Sequence, residues 1–76
     1  MIYNTVKATR NGQYKILFTA ESKTLAKATK RKENLERDVN SDGYTRWSGK
    51  ERIAAVQHCK DGGWDFEVIT TVPVTL

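Results

Sequence analysis

The dipeptide Asn11-Gly12 is the feature that most constrains the fold of this chain. Both residue types tolerate the positive φ angles of a type I′ turn, which joins two antiparallel strands directly. The flanking stretches 2–9 and 14–20 are rich in Tyr, Val, Ile, Thr and Phe, as strands are. We therefore expect a β-hairpin. Because side chains alternate along a strand, the predicted core face of the second strand consists of Tyr14, Ile16, Phe18 and Ala20.

Two helices are predicted after the hairpin. The first has Ser22 or Thr24 as its N-cap and ends at the turn-forming segment 40–43. Its apolar face, read from helical spacing, consists of Leu25, Ala28, Leu35 and Val39. The second helix covers about 49–59, because the segment 48–51 matches the capping-box pattern of Ser followed three residues later by Glu.

The C-terminal part of the chain alternates like a strand again. The predicted packed face consists of Trp64, Phe66, Val68, Thr70, Val72 and Val74. Pro73 cannot donate a ladder hydrogen bond, which favours a strand end or a sheet edge. The order β-β-α-α-β predicts an α+β fold, with a three-stranded, mainly antiparallel sheet and two helices packed on one face. The 76 residues have room for one domain, which we expect to span 1–76.

The net charge of +4 is concentrated in one segment. Residues 23–37 hold six basic and two acidic residues, whereas the rest of the chain holds seven of each. At about 100° per residue, a basic stripe forms opposite the apolar sector of the first helix. The stripe consists of Lys23, Lys27, Lys30 and Arg37, with Arg31 at its flank. It extends over about 21 Å and would meet several phosphates of a nucleic acid, which recur every 6–7 Å or so along a strand.

The stripe also has a simpler interpretation, because the outer face of a surface helix is usually charged and solvated. Two details favour a binding role. Lys23 and Lys27 stand near the helix start, where the helix dipole disfavours cations. The outward sector also lacks the acidic partners that a solubilising face normally carries.

The segment 43–49 between the two helices contains Tyr44, Arg46 and Trp47. Aromatic rings beside an Arg are typical of surfaces that stack unpaired bases and hold a phosphate. Trp47 also fits a structural interpretation as a lid over a small core, and the sequence leaves both open. The predicted nucleic-acid-binding residues are therefore Lys23, Lys27, Lys30, Arg31, Arg37, Tyr44, Arg46 and Trp47.

The sequence predicts neither an enzyme nor a cofactor. His58 and Cys59 are neighbours on a helix and point about 100° apart, unlike a nucleophile and its base. We find no phosphate-binding glycine motif and no metal-ligand cluster. The single Cys cannot form an internal disulfide, and the longest aliphatic run, 53–56, is too short for a membrane span. We expect a soluble cytoplasmic protein, complete from its own Met, monomeric or weakly dimeric, with no small-molecule substrate.

Residues 14–22, which read Tyr-Lys-Ile-Leu-Phe-Thr-Ala-Glu-Ser, precede Leu25, Ala26 and Ala28. This segment resembles the strand and Ala-rich helix start of small phage-encoded proteins, such as the RNA polymerase inhibitors of T7-like phages. The chain differs from those inhibitors in its basic helix and its additional helix. The resemblance implies a phage-encoded factor that acts on a bacterial host enzyme or defence system, as anti-CRISPR and antitoxin-like proteins do. It assigns no site residues.

Two functional hypotheses follow from the sequence. The first is a non-enzymatic nucleic-acid-binding protein of low sequence specificity. RNA is favoured over DNA because the stripe adjoins an aromatic loop and no helix-turn-helix spacing occurs. The second is an inhibitor that docks on a host protein and blocks it. Binding to nucleic acid should weaken steeply as salt rises, whereas docking through aromatic and aliphatic residues should weaken little.

Overall fold

Three antiparallel strands form one sheet in the computed structural model, which describes residues 1–73. The strands are β1 (Ile2–Arg10), β2 (Gln13–Ser22) and β3 (Asp65–Thr71). β1 lies in the centre, so β2 and β3 are both edge strands. With the helices α1 (Leu25–Ser41) and α2 (Lys50–Asp61), this confirms the predicted α+β class and element order. Val74 of the predicted third strand lies outside the described residues.

The hairpin turn between β1 and β2 forms as predicted. Asn11 and Gly12 have φ angles of 52° and 82°, the two positive values that a type I′ turn requires. The prediction for the core face of β2 is wrong for its first two residues, Tyr14 and Ile16. Their side chains are 62% and 60% exposed and lie on the outer face of the sheet.

A β-bulge explains this difference. Val6 pairs with Phe18, but the next residue of β1 pairs with Ile16, so Leu17 has no partner of its own. An extra residue on one strand reverses the side-chain alternation beyond it. Leu17 therefore packs against the core together with Phe18. On the hairpin side of the bulge, Lys15 takes the place opposite buried Ala8 on the helix-covered face.

α1 begins at the predicted Thr24 cap, whose hydroxyl oxygen accepts the backbone N–H of Lys27 at 3.2 Å. Ala28, Leu35 and Val39 are buried as predicted. Leu25 is 61% exposed, which corrects its assignment to the apolar face.

The capping box predicted for α2 does not form. The N-cap is Gly49, with a φ of 103° that L residues rarely adopt, and no side chain caps the helix. The chain therefore turns at Gly49, and Ser48 lines a groove beside the helix instead. α2 contacts β2, and its buried residues are Val56 and Cys59.

A buried amide ties α1 to the sheet. Asn4, fully buried in the central strand, donates to the carbonyl oxygen of Ala28 at 2.9 Å. It accepts from the hydroxyl of Thr70 at 2.6 Å. Buried polar groups are stable only when hydrogen-bonded, so this network fixes one position of the first turns of α1 against β1 and β3. The basic residues on those turns are thereby held at a defined distance from the sheet.

In the described residues, no helix has both the length and the apolar character that crossing a bilayer requires. The main core cluster consists of Val6, Leu35, Val39 and Val68, with Leu17, Phe18, Trp47 and Phe66 packed against it. This core joins the inner face of the sheet to the apolar side of α1. It leaves the outer face of the sheet without a helix over it.

Candidate nucleic-acid interface

A groove of about 650 Å³ lies between the edge strand β2 and α1. One wall is the β2 segment 18–21, and the opposite wall is α1 from Lys27 to Asp38. Trp47, Ser48 and Arg52 also line it. The volume lies within the range of small-ligand sites.

Four basic side chains line this groove, namely Lys27, Lys30, Arg31 and Arg52. No carboxylate of residues 1–73 lies within ion-pair distance of any of them. Arg31 donates through Nη1 to the main-chain carbonyl of Glu21 at 2.8 Å, which orients the guanidinium without neutralising it. The groove therefore holds a concentrated positive potential.

Two acidic residues, Glu21 and Asp38, also line the groove. The carboxylate of Asp38 is already engaged, because it accepts from the indole N–H of Trp47 at 2.9 Å and lies 3.6 Å from the Arg37 guanidinium. Its side chain is only 15% exposed. The positive charge of the groove is thus opposed mainly by Glu21.

Aromatic rings form the end of the groove nearest α2. The rings of Phe18 and Trp47 meet edge to face, with their centres 4.9 Å apart. The Arg52 guanidinium lies over Phe18, 5.0 Å from the ring centre. Trp47 is half-buried, so it both covers the core and offers a surface to the groove. The structural and binding interpretations of Trp47 are compatible in this geometry.

The sequence-predicted stripe divides in the structure. Lys27, Lys30 and Arg31 line the groove, whereas Lys23 and Arg37 do not. Arg37 pairs with Asp38, and Lys23 lies exposed in the segment before α1. Of the stripe, only Lys27, Lys30 and Arg31 therefore contribute basic side chains to the groove.

Two of the predicted loop residues lie elsewhere. Tyr44 is 1% exposed, its hydroxyl donates to the Gln57 side chain, and the Lys60 ammonium lies over its ring. A base has no access to a ring face buried in this way, so Tyr44 acts here as a core residue. Arg46 is exposed at the end of the 3-10 turn Gly43–Arg46 and does not line the groove.

Sequence reasoning missed Arg52 and the β2 wall. Arg52 stands in the first turn of α2, and nothing in its spacing relates it to residues 27–31 of another helix. Only the packing of α2 against β2 brings it over Phe18. The edge position of β2 was equally invisible, because strand order depends on which neighbours β1 acquires.

Comparisons of the chain with models of protein families, with curated proteins and with solved structures find no match. Within the described part of the chain, no group of three or more His, Cys, Asp and Glu side chains is arranged to hold a metal ion. The interpretation of the groove therefore depends on its own residues.

Proposed function

We propose that this protein is a non-enzymatic nucleic-acid-binding protein whose groove between β2 and α1 holds a single-stranded segment, with RNA favoured. The observation that carries the proposal is the set of four cations that face one groove beside Phe18 and Trp47 and form no ion pair within residues 1–73. Cations neutralise phosphates, and release of the condensed counterions provides affinity. Aromatic rings provide stacking for unpaired bases of any sequence.

The shape of the groove favours a single strand over a duplex. A duplex presents its bases edge-on inside its grooves, whereas the half-buried Trp47 ring contacts a base only when it is unstacked. The groove also runs beside an edge strand, and the main-chain groups on the free side of an edge strand lack a strand partner. Such groups provide hydrogen bonds to a base with little dependence on its identity.

The direct test is fluorescence anisotropy with a single-stranded RNA, a duplex RNA and a duplex DNA at several salt concentrations. We expect the single strand to bind best, with a log–log salt slope between about −2 and −4. Four neutralised phosphates on a single strand correspond to a slope of about −3. Absence of binding to all three probes at low salt would contradict the proposal.

The double substitution Lys27→Glu plus Lys30→Glu tests the location of the site. Both side chains are exposed, so the fold should persist while binding falls below detection. Circular dichroism and the melting temperature verify the fold. Unchanged affinity in the folded variant would remove the groove from the proposal.

The cellular setting belongs to the same proposal. The similarity of residues 14–28 to small phage proteins supports a phage-encoded factor that acts on nucleic-acid processing or defence in a bacterial host. Cys59 is buried and unpaired in the structure, which is compatible with a reducing cytoplasm. Expression in a bacterium, followed by RNA crosslinking with the wild type and the Lys27→Glu plus Lys30→Glu variant, identifies any RNA bound through the groove.

A second candidate function, inhibition of a host protein by docking, is favoured by the uncovered outer face of the sheet. Tyr14 and Ile16 are more than half exposed there, and Ile69 of β3 is partly exposed on the same face. Exposed aromatic and aliphatic side chains are typical of the central part of protein interfaces. If this function holds, a host protein stays bound to the wild type at about 1 M salt, where surface charges are screened. The same host protein should not bind the Tyr14→Ser plus Ile16→Ser variant. Retention by that variant contradicts it.

A further inference from the structure

A second pair of cations lies beside Trp64, at the end of the sheet where the hairpin turn joins β1 and β2. The guanidinium carbon of Arg10 is 4.8 Å from the centre of the Trp64 ring, and Nζ of Lys15 is 5.1 Å from it. The two charges therefore lie within about 10 Å of each other. Neither forms an ion pair with any carboxylate of residues 1–73. Like charges held this close create a positive potential that an anion would relieve.

Several features of the fold hold these cations in place. The β-bulge turns Lys15 onto the helix-covered face of β2, where it meets Trp64. Arg10 donates through Nη1 to the carbonyl oxygen of Gly62 at 2.6 Å. A Cβ at Gly62 would lie 3.0 Å from the Trp64 ring. The absence of a side chain at Gly62 therefore lets the residue that follows α2 lie this close to the indole. Arg10 is thus fixed by a neutral acceptor and keeps its full charge.

This pair and the groove are connected by β2. Lys15 precedes Phe18 by three residues, or about 10 Å of strand, and precedes Glu21 by six residues, or about 20 Å. Arg52, one of the four cations of the groove, lies over Phe18. Phosphates spaced about 6–7 Å apart would cover 20 Å with roughly four nucleotides. One extended strand is therefore long enough to reach both groups.

We propose that Arg10, Lys15 and Trp64 form a second phosphate-binding subsite, which extends the groove into a track for about four to five nucleotides along β2. This inference rests on the proposed function and adds to it the length and course of the bound strand. Trp64 acts as the platform that holds the two cations, and Arg10 and Lys15 contact phosphate oxygens. The track has one end at α1 and the other at the hairpin turn.

The test uses oligouridylates of three and eight nucleotides with the wild type, Lys15→Gln and Lys7→Gln. Lys7 is the matched control, because its ammonium also lies over an aromatic ring, 4.4 Å from the centre of Tyr14, but on the outer face of the sheet. Both variants lose the same charge. At 0.1 M salt we expect Lys15→Gln to weaken octamer binding about fivefold, the value of one single-strand phosphate contact.

The remaining outcomes separate this inference from the proposed function. Because the trimer fills only the groove, its affinity for Lys15→Gln and for Lys7→Gln should stay within twofold of its affinity for the wild type. The octamer should show a steeper salt slope than the trimer, by about 1.4, the value of two additional phosphate contacts. If the wild type binds the octamer and Lys15→Gln equals Lys7→Gln, the second subsite is overturned and the groove stands. If the wild type binds neither oligonucleotide, the proposed function and its extension both fail.

Discussion

The basic residues of α1 lie in two different surroundings. Lys27, Lys30 and Arg31 face a groove and form no ion pair within residues 1–73. Lys32 and Arg37 lie outside the groove lining, and each pairs with an acidic neighbour, at 3.8 and 3.6 Å. Paired, solvated charges offer a ligand little, whereas unpaired charges along a concave wall add their potentials. The surface is therefore defined by where charges lie in space, more than by their number along the helix.

The largest effect is expected for Trp47→Ala, because Trp47 belongs to the core as well as to the groove beside α1. The substitution removes the ring contact with Phe18 and the hydrogen bond to Asp38. We expect a loss of about 3 kcal/mol, or a fall in melting temperature of roughly 15 °C for a domain of this size. Thermal unfolding followed by circular dichroism measures it.

Trp47→Phe is the matched control for that substitution. It keeps an aromatic ring against Phe18 and removes only the donor to Asp38, so it should cost less than half as much. A melting temperature of Trp47→Ala close to that of the wild type would show that the residue is not a lid.

A pair of matched double substitutions tests the comparison itself. Lys27→Gln plus Lys30→Gln should weaken binding of single-stranded RNA about 25-fold at 0.1 M salt, since each phosphate contact contributes roughly fivefold. Lys32→Gln plus Arg37→Gln removes the same charge from α1 outside the groove and should weaken this binding less than threefold. Fluorescence anisotropy measures both. Equal losses would mean that only the net charge of the helix matters.

Asn4→Ala tests how the first half of α1 is held in position. It removes the hydrogen bonds to Ala28 and Thr70, at a cost of about 1.5 kcal/mol. Hydrogen exchange should show protection lost more strongly over 28–32 than over 37–41. Asn40→Ala, an exposed change on the same helix, should leave protection unchanged. Uniform loss in Asn4→Ala would contradict a local anchor.

The smallest effect is expected for Thr24→Ala, which removes the N-cap of α1. The cost should be about 1 kcal/mol, measured by chemical denaturation. Thr29→Ala is the control, because that exposed hydroxyl donates to the Leu25 carbonyl oxygen and caps no backbone N–H. A Thr24→Ala stability no lower than that of Thr29→Ala would show that the cap contributes nothing.

Local patterns in the sequence were sufficient for much of the fold. Asn11-Gly12 predicted the hairpin turn, and Thr24 was one of the two candidates for the cap. Ala28, Leu35 and Val39 were correctly assigned to the packed face. These features depend on a few neighbouring residues, whose conformational preferences survive in the folded chain.

The features that failed depend on partners distant in sequence. The bulge at Leu17 is visible only when β1 and β2 are paired, and it reverses the faces predicted for Tyr14 and Ile16. Ser48 matched a capping pattern, but the positive φ of Gly49 directs the chain away from it. Of the candidate site, the cations of α1 were predicted, whereas Arg52 was not, because its place depends on the packing of α2.

The salt dependence of single-stranded RNA binding, measured with the wild type and the two matched double variants, tests most directly whether the groove between β2 and α1 binds nucleic acid. We expect Lys27→Gln plus Lys30→Gln to make the log–log slope less steep by about 1.4, the value of two phosphate contacts. Lys32→Gln plus Arg37→Gln should keep the slope of the wild type. A flat slope in the wild type, or the same change in both variants, would contradict a nucleic-acid site in the groove.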